Sequence, residues 1–206
     1  MDASAHYNKE YFDWQRIVGE SGGKINLSKF EQYISLEDTV LDFGCGGGYL
    51  LKELSCAKKI GVDVSEHARA TCKENGIDEV YASLDEVPDG SVDKVITNHA
   101  LEHAERPLDV LRELHRVLVP GGMIVVALPI DDYRSAPHYD PNDTSNHLYT
   151  WNIQLFGNCL NAAGFTNIAA WVYTHAWPGN YRKHFDTLPR PVFDVLCWLT
   201  AVRRNR

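Results

Sequence analysis

Residues 40–49 read VLDFGCGGGY, the end of a buried strand that runs without a spacer into a cluster of glycines. Val40 and Leu41 supply the apolar end of the strand. Gly44, Gly46, Gly47 and Gly48 let the backbone turn tightly and come close to a ligand where a Cβ would clash. Such a loop can cradle a pyrophosphate, hold a lone nucleoside, or simply turn a strand into a helix. The residues around it decide between these.

Working outward, short apolar segments at 39–43 (TVLDF), 59–64 (KIGVDV), 79–83 (EVYAS), 93–98 (DKVITN) and 123–129 (MIVVALP) alternate with helical ones. Pro107 suits a first helical turn, and Leu108, Leu111, Leu114 and Leu118 form a stripe at spacings of three and four, predicting a helix over 107–118. A second helix is expected from about Trp151 to Ala163, with Thr150 as N-cap and Gly164 just past its end. Strand–helix alternation of this kind predicts an α/β fold: a doubly wound, Rossmann-like, mostly parallel sheet with helices on both faces. Residues 1–36, with a Gly-rich break at 19–24 and a helical pattern at 27–34, read as a helical cap. The expected division of this single domain is cap 1–36, core 37–174 and C-terminal extension 175–206. A sixth strand is expected at about 166–174. The final stretch, LPRPVFDVLCWLTAVRRNR (188–206), reads as a short amphipathic helix followed by charge, so a C-terminal seventh strand is expected to be missing.

Composition narrows the function. A chain of 206 residues is long enough for one well-cored domain. Its formal charge of −8 argues against a broad phosphate-binding surface and so against nucleic acid as a partner. The five cysteines are scattered and never spaced as CxxC, which fits a reducing compartment. No stretch reaches the apolar length of a membrane span, so no stable membrane insertion is expected and the chain reads as cytoplasmic.

Two acids then specify the glycine loop. Asp42 precedes it, giving D-x-G-x-G-x-G over 42–48, and Asp63 ends the next strand, where a ribose-binding carboxylate is expected for a nucleoside cofactor. An acid inside the loop repels phosphates and favours a cofactor with a positive centre. S-adenosylmethionine offers an ammonium, ribose hydroxyls, and no phosphate.

VLDFGCGGGYL, GVDVS, SVDKVITNHALEHAERPLDVLRELHRVLVPGG and the later AAGF together resemble the class I S-adenosylmethionine-dependent methyltransferases over roughly residues 38–170. More narrowly, YFDWQ, the glycine break and NHLYTWNIQLFGN resemble a small bacterial-type group within them, whose members often accompany surface-glycan biosynthesis. The resemblance implies that Asp42, Gly44, Cys45 and Gly46 line the methionine and ribose part of the cofactor. It places Asp63 on the ribose hydroxyls, Val64 on the adenine, Ser83 and Leu84 at the adenine edge, and Asn98 and His99 beside the sulfonium and the acceptor. Many relatives carry an acid where Ser83 stands.

NHALEH (98–103) and HLYTW (147–151) add a histidine and acid cluster on the same edge. With His99 in place of a Glu, the pattern resembles metal-dependent O-methyltransferases of small-RNA 3′ ends and of ubiquinone synthesis. That resemblance implies a divalent metal held by His99, Glu102, His103 and His147, gripping an acceptor hydroxyl. Two alternatives stand beside it: the histidines pack or cap, or one of His99, His103 and His147 is a catalytic base. Asp131, Asp132, His138 and Asp140 are further candidates in the long loop 130–151, and Trp171, Tyr173, Trp177 and Tyr181 are aromatic candidates for a ring substrate. The expected activity is methyl transfer to a small-molecule acceptor, a hydroxyl of a sugar or glycan precursor. The rivals are a nicotinamide-dependent oxidoreductase, which the sequence disfavours for want of a Tyr-x-x-x-Lys or similar group, and a non-catalytic cofactor-binding partner protein.

Overall fold

The computed structural model describes Gly19 and residues 22–129, 138–139 and 146–172. The chain groups into two compact units, Met1–Ala169 and Ala170–Arg206. All elements below belong to the first. Tyr173, Trp177, Tyr181, Asp131, Asp132, Asp140 and the helix expected over 188–206 lie outside the described residues.

Five strands, β1 (Thr39–Phe43), β2 (Lys58–Val62), β3 (Glu79–Tyr81), β4 (Val92–Asn98) and β5 (Leu118–Ala127), form one sheet in the order β3-β2-β1-β4-β5. Every pairing is parallel. Successive side chains on a strand point to opposite faces, and both faces here are apolar. Val40 and Ile96 face a cluster with Phe30, Leu51 and Cys72, whereas Leu41 and Val95 face one with Leu111, Leu114 and Leu160. Helices cover both sides: α1 (Glu66–Glu74) carries Cys72 into the first cluster, and α2 (Pro107–Val117) and α3 (Ile153–Ala162) build the second.

The helix ends follow local chemistry. Ser65 caps α1, its Oγ accepting from Ala68 N–H at 3.4 Å. Pro107 occupies the first turn of α2, and Leu111, Leu114 and Val117 are its buried stripe. Asn152, not Thr150, caps α3, accepting from Leu155 N–H at 2.9 Å, so this helix starts two residues later than its apolar pattern. Gly164 follows it at φ +104°.

The cap differs from expectation in its details. Residues 22–27 are helical and a short 3-10 turn spans Glu31–Tyr33, with Phe30 fully buried between them. Strand β5 begins at Leu118, not Met123. Leu118 pairs with Val92 and Met123 with Lys94, so three extra residues on β5 bulge out around Pro120–Gly122. A Cβ at Gly122 would meet Val119 O at 2.9 Å and Asp93 O at 3.0 Å, which explains why the bulge needs glycine there. The sixth strand is not formed in its described part: residues 166–172 are irregular and exposed. No helix among the described residues is long and apolar enough to cross a membrane.

Candidate active site

The strand order reverses between β1 and β4, and in open parallel sheets ligands bind outside the carboxyl ends of the strands at such a point. The loop leaving β1 is shaped accordingly. Gly44 and Gly46 hold φ of +73° and +53°. A Cβ at Gly44 would stand 2.4 Å from the Cβ of Ala100, so the loops after β1 and β4 touch only because residue 44 has no side chain. Gly44 N–H and Cys45 N–H both donate to Val62 O, at 2.9 and 3.1 Å, tying the loop to β2.

Asp63 is the hub of this arrangement. Its Oδ2 accepts from Gly46 N–H at 2.8 Å and its Oδ1 from Ser65 N–H at 2.9 Å. Burial raises its carboxyl above the ordinary value, and the two amide hydrogen bonds pull part of that back. Asp42 behaves differently. Only 3% exposed, it is pushed well above the usual carboxylate range by burial and then by the nearby charge of Asp63.

A cavity of about 510 Å³ opens beside this loop. Gly44, Asp63, Val64, Ser83, Leu84, His99 and His103 all line it. Val64 is 52% exposed on its wall, an apolar side chain open for a flat ring to cover. Asp42, Cys45, Gly46 and Asn98 are not among the lining residues. Asn98 Oδ1 instead accepts from Lys29 Nζ at 3.3 Å, and burial lowers that amine's pKa to about 8.

Ser83 is occupied by local structure. Its Oγ accepts from Asp85 N–H at 3.3 Å, and Glu86 Oε1 closes a capping box on Ala82 and Ser83 N–H. An acid is nevertheless present, since Asp85 lines the same wall two residues on.

Sequence reasoning missed the sign of the wall as a whole. Asp63, Asp85, Glu105, Asp109 and Glu113 line the cavity against one guanidinium, Arg106. Arginines pair with Asp109 and Glu113, but Asp63, Asp85 and Glu105 have no salt bridge among the described residues. Negative wall potential repels a pyrophosphate and attracts a cationic cofactor. This disfavours a nicotinamide dinucleotide on geometry as well as on sequence. The signal was available in Asp109 and Glu113, which stand four apart on one face of α2.

The histidine cluster sits at the β4 end of the cavity. His99 has φ +55°, an uncommon backbone state for a residue with a side chain, and its N–H donates to Ala127 O at 2.9 Å. Its side chain is 47% exposed, and its Nδ1 lies 3.4 Å from Oε1 of Glu102, which is wholly buried. Nε2 of His147 and of His103 lie 3.9 and 4.0 Å from the same oxygen. The rings of His103 and His147 meet edge to face at 4.8 Å. Burial lowers the pKa of His103, offset in part by the charge of Glu102. Attraction from His99 and His103 holds the Glu102 carboxyl below the ordinary value against its own burial. His138 is exposed and outside this group.

A glycine loop at a topological switch, a buried carboxylate just past the end of the next strand and an acidic cavity beside them give the architecture of a Rossmann-like nucleoside-binding fold. The comparisons with known proteins agree. A family model described as a methyltransferase domain matches residues 41–126. An uncharacterized protein of Methanocaldococcus jannaschii is 30% identical over 179 residues, covering 82% of this chain and 84% of that one. The ubiquinone biosynthesis O-methyltransferase of Pseudomonas paraeruginosa is 34% identical over 101 residues, covering 43% of each, so the chain matches less than half of that enzyme's length. A chain from the complex containing the Haloferax volcanii Trm112 methyltransferase activator shares the fold at a TM-score of 0.64 and 23% identity, covering 76% of each. The chain belongs to the class I S-adenosylmethionine-dependent methyltransferases. Its cofactor is S-adenosylmethionine.

Proposed function

We propose that the chain moves the methyl group of S-adenosylmethionine onto a hydroxyl of a small polar acceptor of the sugar or glycan-precursor class, with His99 as general base. The observation that carries this reading is the His99–Glu102 pair at the cavity edge. A buried carboxylate 3.4 Å from Nδ1 favours the proton on that nitrogen, leaving Nε2 as the base. In the transfer, the acceptor oxygen attacks the methyl carbon in line with the C–S bond. The C–S electron pair passes to sulfur, giving S-adenosylhomocysteine, and the hydroxyl proton passes to His99. The Glu102 charge then stabilises the imidazolium.

On this reading Asp63 takes the ribose hydroxyls, and Val64 and Leu84 enclose the adenine. Asp85, not Ser83, receives the adenine amine. Asp42, Gly44, Cys45, Gly46 and Asn98 shape the methionine end, and His103 and His147 hold Glu102 and the acceptor. The acidic wall and the net charge of −8 support a small-molecule acceptor over nucleic acid, and cytoplasmic action on a soluble precursor.

The test uses methyl-labelled S-adenosylmethionine with pools of sugar hydroxyls and of amines. Label is expected on oxygen, with His99→Gln lowering kcat by about 100-fold or more at similar cofactor affinity. Label on nitrogen, or an undiminished His99→Gln variant, overturns the reading.

A further inference from the structure

We propose that Lys29 is an anion-binding residue of the acceptor site, and that the acceptor carries a carboxylate or phosphate beside its reacting hydroxyl. The proposal rests on the methyl-transfer reading above and narrows its acceptor class.

The first observation is how firmly the amine is placed. Lys29 lies in the cap, between the helical residues 22–27 and the turn at Glu31–Tyr33. Its neighbour Phe30 is wholly buried in one cluster with Val40 of β1 and Ile96 of β4, so the turn is pinned against the two strands that flank the switch point. Lys29 N–H donates to Asn26 O at 3.0 Å and Phe30 N–H to Leu27 O at 2.9 Å, which closes the turn. From there Nζ reaches Asn98 Oδ1 at 3.3 Å, at the carboxyl end of β4.

The second observation is a charge without a counter-charge. No carboxylate pairs with Lys29 among the described residues. An ammonium has three donors, and the neutral amide of Asn98 takes one of them. Burial lowers the amine to about 8, so it is still mostly charged at neutral pH. A cation that gives up hydration without gaining an acid costs free energy, and such groups cluster at functional sites.

The third observation is the place. Asn98 is followed directly by His99, which lines the cavity and is the proposed base. The wall elsewhere is acidic, and its one guanidinium, Arg106, pairs with Asp109. That wall repels an anion, so the anionic end of an acceptor is turned toward Lys29 while its hydroxyl stays at His99. Two fixed points of this kind orient an acceptor for in-line attack.

The cofactor brings an anion of its own, the methionine carboxylate, but that end is zwitterionic. Its ammonium offsets the carboxylate and meets Lys29 as a like charge. Lys29 also stands outside residues 41–126, which match the methyltransferase domain, whereas every residue assigned above to the cofactor stands inside them. Selectivity for an acceptor is carried by what is added to a shared fold.

The experiment gives the full chain methyl-labelled S-adenosylmethionine with three acceptor pools: sugar acids (amino-sugar acids included), sugar phosphates, and the neutral sugars they derive from. Label is expected to enter one anionic pool at least about 10-fold faster than the neutral one, and the two anionic arms tell carboxylate from phosphate. Lys29→Met and Lys29→Gln are each expected to lower kcat/KM for that acceptor by about 10–100-fold, to the level of its neutral counterpart, with S-adenosylhomocysteine affinity held in a calorimetric titration. Lys24→Met, which alters an exposed lysine on the same cap, is expected to keep the parent's selectivity. Thermal unfolding shows whether each variant folds, and Lys29→Gln keeps a donor for Asn98 should Lys29→Met fail to. Equal labelling of neutral and anionic pools, or anionic labelling indifferent to Lys29, overturns the proposal. Loss of S-adenosylhomocysteine affinity with acceptor selectivity intact assigns the amine to the methionine carboxylate and overturns it as well. Label on the hydroxyls of neutral sugars refutes this proposal alone. Lys29-dependent label on the nitrogen of an amino-sugar acid keeps the anion site and refutes the hydroxyl reading, and no label in any pool overturns both.

Discussion

Replacing Gly44 by Ala tests how the cofactor loop is built. Gly44 sits at φ +73°, and a Cβ there would stand 2.4 Å from the Cβ of Ala100. The left-handed backbone costs an L-residue about 1–2 kcal/mol. Forcing the overlap apart, with the loops after β1 and β4 both tied down, costs about 1–3 kcal/mol more. Gly44→Ala is therefore expected to lose about 2–5 kcal/mol of stability and most of its affinity for S-adenosylhomocysteine. The two costs separate in a double-mutant cycle. Ala100→Gly in the Gly44→Ala background removes the steric part and leaves the backbone part, so about 1–3 kcal/mol should return. Urea unfolding reads the stability, with an unchanged m-value as the control for the unfolded state. Calorimetric titration reads the cofactor affinity. A loss below about 0.5 kcal/mol for Gly44→Ala, or no recovery in the double variant, would refute the argument that contact between these loops requires a residue without a side chain.

Three further changes follow from the same site. Asp63→Asn can satisfy only one of the two amides, Gly46 N–H and Ser65 N–H, that Asp63 now accepts. It should weaken S-adenosylhomocysteine binding by about 1.5–3 kcal/mol in a titration, and unchanged binding would contradict the role of that carboxylate. Asp42 has a raised pKa in the fold, so the folded state holds its proton more tightly than the unfolded chain does. Its contribution to stability therefore falls as pH rises above the ordinary value of 3.8, and Asp42→Asn should flatten that decline in urea midpoints and stabilise the free protein at neutral pH. Thr97 is fully buried with no partner for its hydroxyl among the described residues, so Thr97→Val should be neutral or stabilising by about 1 kcal/mol, and a marked loss would reveal an unrecognised hydrogen bond.

Much of the core was legible because its signals are local. The apolar run of β1 and the Pro107 start of α2 need only neighbours along the chain, and each forms where its pattern places it. The start of β5 was hidden because Leu118 completes the apolar stripe expected of the helix over 107–118, whereas its parallel pairing with Val92 puts it at the head of the strand, which then passes through a bulge. Asn152 displaced Thr150 as a cap because its side chain reaches Leu155 N–H. Within the site, the sequence placed Asp63, Val64, Leu84 and His99 at the cavity but could not show that Ser83 is engaged in a cap or that Asp42 is sealed beneath the loop. Those facts depend on packing between strands far apart in sequence. The acidic wall was missed for a related reason, as Asp109 and Glu113 look like ordinary solvated helix residues until α2 is set beside the cavity.

The most direct test of the central claim is a calorimetric titration of S-adenosylhomocysteine into the chelator-treated full chain, run beside NAD. The account predicts one saturable site for S-adenosylhomocysteine that is weakened in Asp63→Asn, and no heat from NAD. Binding of NAD in its place, or S-adenosylhomocysteine binding that ignores Asp63, would contradict it.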